Sequence, residues 1–273
     1  MMFGVIHNPT SSHYNTPGET LPAFLDWVAA TGFEYIEIDK TDLWPEGVEK
    51  PHAHAEQVQG MLEARGLKVS AVSARNDFVL LDNDQIAQQM AQLRVVCELA
   101  QIVGTNVLRT EGGWEKPEVP MDKWAEAMIG CCRQALSFVE PMGLKLAIDN
   151  HGTVTNNIPV LLEVIRTVNA PCVGSNLDTM NVRWYGWSVA ECDEFYRQLA
   201  PYVLHTHLKD GFDSRENYKG AALGQGELHL ELAVELLQAA GYDGVWCAEY
   251  EGPEVEGGVG YGKCLEWMRT HLA

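Results

Sequence analysis

The sequence predicts a single (β/α)8 barrel over residues 1–273. Three observations carry that expectation: eight short β-rich runs, helical apolar spacing between them, and a glycine repeatedly placed just before the next run. A barrel of this kind needs about 250 residues, and the chain has 273. Several runs are almost continuously apolar until a polar residue at the C-terminal end. Strands covered by helices on both sides of a parallel sheet look like this.

The runs come in order. FGVIHN begins at Phe3, and YIEID begins at Tyr35, just after Gly32. LKVSAVS begins at Leu67, directly after Gly66. A helix over about 84–103 then ends at Gly104 and leads into NVLRTE from Asn106. The next helix, about 121–142, ends at Gly143 before KLAIDN from Lys145. Asn157 caps a helix whose apolar face is Ile158, Leu161, Leu162 and Ile165, followed by CVGSNLD from Cys172. VLHTHLKD starts at Val203, and GVWCAEYE starts at Gly244 after a helix that stops at Gly241. A glycine closing each helix is the cheapest residue for a left-handed C-cap. The segment GPEVEGGVGYG after Glu251 reads as a loop. The alternative is a doubly wound open sheet, but its dinucleotide signature is missing: GQGELH lacks the third glycine of GxGxxG.

Composition narrows the function classes. Apolar residues make up 46% of the chain, enough for a substantial core, and the net charge is -19. Such an acidic surface repels nucleic-acid phosphates and anionic lipid, so neither is an expected partner. The seven cysteines include no CxxC pair and sit mostly in apolar runs such as VVCELA and GVWCAE. They read as reduced buried thiols of a cytoplasmic protein. The N-terminus has no signal-peptide pattern, and no apolar run approaches the roughly 18 residues of a membrane span.

In a (β/α)8 barrel the chemistry lies at the C-terminal ends of the strands. Runs five to eight end in Asp149-Asn150-His151, Asn176-Leu177-Asp178, His205-Thr206-His207-Leu208-Lys209 and Glu249-Tyr250-Glu251. One aspartate at a strand end is ordinarily a helix cap, and one histidine is ordinarily structural. Four successive strands delivering such groups to one rim are different, because burying them unpaired costs several kcal/mol, on the order of the penalties known for polar groups and ions. Asp149, Asp178, His207 and Glu249 are therefore candidate ligands of one divalent cation. Strand alternation puts His205, His207 and Lys209 on one face, with His207 nearer the rim. Three carboxylates and one imidazole suit Mn2+ first, or Mg2+ or Co2+, with Zn2+ also compatible.

At these residues the chain resembles the xylose-isomerase-like barrels, the sugar phosphate isomerase/epimerase superfamily. The similarity runs over nearly the whole chain and is carried by LAIDNHG, SNLDTMN, HTHLKDG, GQGELHL and VWCAEYEG. It implies a metal on Asp149, Asp178, His207 and Glu249, with a carbohydrate substrate. The chain departs from the epimerase pattern at Asp149, where glutamate is usual, and at Asn181, where a substrate-binding histidine is common. The implied chemistry is proton abstraction beside a carbonyl through an enediolate. Glu249 would be the base, and Asp149 or His151 would return a proton. Lys209 would bind a substrate oxygen or pair with Asp210 or Glu251. Arg109 would bind a substrate oxygen or pair with Glu111. The rival class is a metal-dependent lyase or dehydratase on a keto-sugar, inosose or dehydroshikimate-like substrate, for which His151 matches a histidine of the dehydratases. Barrels of this group often pair, so a homodimer is among the expectations.

Overall fold

The computed structural model describes residues 1–7, 17, 18 and 20–272. Asn8, the last residue of the first predicted run, lies outside the described residues. The barrel strands are β1 (Phe3–Ile6), β2 (Tyr35–Asp39), β3 (Lys68–Ser73), β4 (Val107–Thr110), β5 (Lys145–Asp149), β6 (Val173–Asp178), β7 (Val203–Leu208) and β10 (Trp246–Ala248). They close in the order β1-β10-β7-β6-β5-β4-β3-β2. All pairings are parallel, and closure pairs Phe3 with Trp246 and Val5 with Ala248. The eight predicted runs are thus the eight barrel strands.

The helices are α1 (Leu21–Thr31), α2 (Lys40–Leu43), α3 (Pro51–Glu63), α4 (Asn83–Ile102), α5 (Trp124–Val139), α6 (Ile158–Val168), α7 (Asn181–Tyr185), α8 (Val189–Leu199), α9 (Leu230–Ala239) and α10 (Val259–His271). The predicted junction glycines, Gly32, Gly66, Gly104, Gly143 and Gly241, all have positive φ, from 67° to 92°. Between α6 and β6 the same place is taken by Asn169 at φ 48°, the usual second choice for a left-handed C-cap. Among the described residues no helix is long and apolar enough to cross a membrane.

Three details differ from expectation. The seventh strand ends at Leu208, and Asp210–Phe212 instead forms β8, an antiparallel hairpin with β9 (Lys219–Ala221). The reason is the Asp210 carboxylate, which accepts backbone N–H groups from Gly211, Gly224, Gly226 and Leu228 and folds the GQGEL segment over itself. Asn157 occupies the N-cap position of α6, but its side chain makes no cap bond. Pro159 removes the N2 donor, and the N3 donor of Val160 is taken by the Asn157 carbonyl. The expected loop after Glu251 is loop only in part, because α10 begins at Val259.

The barrel interior is stratified. At the bottom, Ala71, Val107 and Ala147 form a small apolar layer with Leu204. Above it the inward side chains turn polar. Register shifts fall at Ile36/Glu37 on β2 and at Ser175/Asn176 on β6. Such irregularities re-aim side chains near active sites, and both displaced residues enter the polar layer.

Candidate active site

The polar layer is built on Arg109. Its Nε donates to Glu37 Oε1 at 2.7 Å, Nη1 to Asp149 Oδ2 at 2.7 Å and Nη2 to Ser73 Oγ at 3.0 Å, with Glu111 Oε1 at 3.4 Å. Arg109 is only 5% exposed. The structure therefore brings together both sequence options for this residue only in part: Glu111 is near, and the shortest contacts go to Glu37 and Asp149. Burial opposes the guanidinium charge, but the carboxylates of Glu37, Glu111 and Asp149 raise its pKa well above the usual value.

Glu37 is the residue that the sequence reading missed. Its Oε2 accepts from His207 Nε2 at 2.6 Å. Burial pushes the carboxyl up, yet the charges of His207 and Arg109 outweigh it and hold Glu37 at about 2. A glutamate inside the apolar run YIEID was the available signal, since an acid in a strand covered on both sides must have a partner.

His207 is held from both ends. Nδ1 stands 2.8 Å from Glu249 Oε2 and 4.0 Å from Asp178 Oδ2. Burial disfavours the imidazolium, but Glu37 and Glu249 raise the pKa well above the usual histidine range. Because Glu37 occupies Nε2, the nitrogen facing the other acids is Nδ1. One residue pair deeper, His205 Nδ1 is hydrogen-bonded to Asn176 Oδ1 at 2.8 Å, while Asn176 Nδ2 donates to Asp149 Oδ1 at 2.7 Å. Burial holds His205 down at about 4, against the pull of Glu37.

Asp178 is set by its neighbours. Asn150 clamps its backbone, accepting from Asp178 N and donating to Asp178 O, both at 2.9 Å. Oδ1 receives the N–H groups of Met180 and Asn181. Oδ2 is buried without a hydrogen bond, although Lys209 Nζ lies 3.2 Å away, unaligned for one. Burial, then the acids Glu249 and Asp149, raise Asp178 to about 7 despite Lys209. Lys209 Nζ also donates to Glu249 Oε1 at 3.0 Å and Asn181 Oδ1 at 3.2 Å, and Glu251 Oε1 is 3.5 Å away. Asp210, the other partner considered from sequence, is instead spent on the loop backbone.

The donor set fits a divalent cation. Ligand atoms of Asp149, Asp178 and His207 lie within 4.8 Å of one another, and Glu249 joins through His207. The acid whose oxygen lacks a hydrogen bond, Asp178, is the one whose charge is least favourable without a cation. A second trio, Glu37, His207 and Cys247, is equally close. Burial, with Glu37 and Glu249, keeps the Cys247 thiol of that trio protonated, so it offers no thiolate to a cation.

His151 stands at the outer edge. Its side chain is 30% exposed, and Nδ1 is 3.7 Å from Asp149 Oδ2. The Trp114 ring packs against it edge-on at 5.6 Å. A cavity of ≈ 960 Å³ opens beside it, lined among the described residues by His151, Asn181, Trp184, Phe212, Tyr218 and Glu251, among others. Another cavity, ≈ 610 Å³, opens at the opposite end of the barrel beside Met2, Ser70 and Thr105, away from these acids.

Comparisons with known proteins agree with this architecture. No curated protein matches the chain by sequence. Among solved structures, the IOLI protein with a binding zinc atom is similar over 100% of this chain and 98% of its own, with 18% identity and a TM-score of 0.81. D-psicose 3-epimerase in the presence of D-fructose is similar over 100% and 99%, with 14% identity and a TM-score of 0.76. The probable 3-DHS dehydratase AsbF from Bacillus anthracis is similar over 98% and 99%, with 15% identity and a TM-score of 0.74. At these identities the likeness is one of fold. A family sequence profile, the xylose isomerase-like TIM barrel, matches residues 25–271, and the chain belongs to that family.

Proposed function

We propose that the protein is a divalent-metal-dependent sugar isomerase or epimerase that removes a proton beside a carbonyl. The observation that supports this best is the arc β5-β6-β7-β10, in which Asp149 and Glu249 stand at the two ends with Asp178 and His207 between them. Asp149, Asp178, His207 and Glu249 would hold the cation. When bound, it supplies positive charge next to a substrate carbonyl oxygen and so stabilises a developing enediolate, an effect usually worth several kcal/mol, on the order of other electrostatic contributions in active sites. The ligands suit Mn2+ first; a solved structure of the same fold binds zinc, which supports Zn2+ as a second candidate here.

The chain's own residues do the rest. Glu249 takes the proton, with Lys209 3.0 Å from its other oxygen to stabilise the carboxylate. The proton given back on the other face comes from Asp149 in its protonated form, or from protonated His151, 3.7 Å from it. Lys209 and Asn181, paired at 3.2 Å, bind substrate oxygens at the cavity floor. Arg109 acts from beneath, fixing Asp149 and Glu37. A small carbohydrate is the substrate that agrees with the net charge of -19, and the thiol-rich, disulfide-free chain supports a cytoplasmic location.

A metal-dependent lyase or dehydratase is the second reading. The partly exposed His151 favours it, because an imidazole at the cavity edge could protonate a departing group. The test is incubation of Mn2+-loaded protein in D2O with free, phosphorylated and aryl-substituted keto-sugars, inosose and dehydroshikimate. Metal-dependent deuterium incorporation without other mass change supports isomerase or epimerase chemistry. Loss of water or of a larger group supports the lyase. No metal-dependent exchange or elimination with any of them overturns both.

A further inference from the structure

The cavity over the site is larger and more aromatic than a simple sugar requires. At ≈ 960 Å³ it is near the top of the roughly 300–1,000 Å³ range of pockets that enclose drug-sized ligands. Its floor is polar and belongs to the catalytic arc: Asn181 and Glu251 both stand beside Lys209, and His151 stands beside Asp149. Its outer wall is different. Trp184 from α7, Phe212 from β8, Tyr218 and Pro253 line it. Phe212 is 41% exposed and Trp114, packed on His151, is 49% exposed. These are the exposed large aromatic side chains among the described residues; Phe212 lines the cavity and Trp114 packs on His151, which lines it. Exposing such rings costs hydrophobic free energy that burial elsewhere would recover, and they are placed where a ligand would cover them.

The wall is also held in place. The hairpin carrying Phe212 is fixed by Asp210, and Tyr218 donates to Glu251 at 2.7 Å. Arg215 donates from Nε to the Tyr185 carbonyl at 3.0 Å and lies over the Tyr185 ring. Arg215 and Lys219 therefore give the cavity's outer edge a positive rim.

We infer that the substrate is a carbohydrate carrying a flat, apolar, ring-bearing substituent, with the sugar on the polar floor and the substituent against Trp184, Phe212 and Tyr218. This rests on the proposed carbohydrate chemistry of the adjoining floor. An electron-rich oxygen at the far edge of the ring would meet Arg215 and Lys219. A monosaccharide would leave the aromatic wall wet.

The experiment compares para-nitrophenyl 3-keto-β-D-glucoside with methyl 3-keto-β-D-glucoside, both carrying the carbonyl that the proposed chemistry needs, by titration calorimetry on Mn2+-loaded protein. The aryl compound is expected to bind at least about 10-fold more tightly, the scale of one buried aromatic contact. Phe212→Ala and Trp184→Ala should each narrow that difference by about 5-fold or more, with unchanged circular dichroism. Equal binding of the two glycosides, no binding of the aryl glycoside, or an aryl preference untouched by both variants overturns the inference. Because the readout is binding, its failure is separable from that of the proposed chemistry, which is read by deuterium exchange.

Discussion

Glu37 accepts a hydrogen bond from His207 Nε2 at 2.6 Å while its other oxygen accepts from Arg109 at 2.7 Å. This single carboxylate fixes which imidazole nitrogen faces Asp178 and Glu249. Acids that orient a metal-binding histidine in this way usually matter about 10–100-fold in metal affinity. Glu37→Gln should lower Mn2+ affinity on that scale, measured by calorimetry. Glu37→Ala, which leaves Arg109 Nε and His207 Nε2 without their shared acceptor while Asp149 still faces Arg109, should also destabilise the fold by about 1–3 kcal/mol. Unchanged affinity in the glutamine variant would remove Glu37 from this role.

His207→Ala should carry far less than the one divalent ion per chain expected of the unaltered protein, assayed by elemental analysis after gel filtration. Its imidazole is the group shared by both clusters of ligand atoms. Full metal content in the variant would show that the cation is held elsewhere.

Glu249→Gln separates binding from proton transfer. Glutamine keeps the shape and one oxygen but lacks the basicity. Turnover should drop by at least about 100-fold and should not recover with excess metal. Asp149→Asn, if Asp149 mainly ligates, should regain much of its activity as metal is raised. Near-normal turnover by Glu249→Gln at saturating metal would pass the base role to Asp149 or His151.

Asp210→Ala should loosen the hairpin without touching the arc directly. It strips acceptors from the backbone N–H groups of Gly211, Gly224, Gly226 and Leu228. Each unsatisfied buried donor costs about 1–3 kcal/mol. Thermal unfolding should move down by several degrees, and hydrogen exchange should accelerate in the segment 210–228. Unaltered exchange there would mean that the segment is held by other contacts.

The thiols set an alkaline limit. Burial pushes Cys97, Cys131, Cys192 and Cys264 up to about 12 from an ordinary 9.0. A folded pKa above the unfolded one favours the folded state fully below about 9, and that contribution is lost as pH rises toward 12. Melting temperature should therefore fall progressively above about pH 9. At pH 8 a thiol reagent should modify half-buried Cys172 first, and all seven cysteines only after denaturation. Rapid native labelling of several thiols would contradict this packing.

The barrel was legible in the sequence because its signals are local. Apolar runs such as KLAIDN, polar residues at the ends of several runs and a glycine before five of the strands follow from the geometry of one βα unit. The positions of Asp149, Asp178, His207 and Glu249 at the rim could be read for the same reason, since each lies at or next to the end of a strand. Glu37 and Asn176 could not be placed this way. Each sits within its strand, beside a register shift that alternation alone does not show. Arg109 illustrates the difference: its own neighbourhood offered Glu111, two residues on, whereas its shortest bonds reach Glu37 and Asp149, 72 and 40 residues away. Asp210 likewise read as the end of a strand, until residues 14 and 16 positions further on supplied its partners. Sequence by itself determined the units, their order and the rim at which the candidate ligands gather. Closure of the barrel decided which buried charges share partners, because electrostatic pairing depends on distance across the interior and not on separation along the chain.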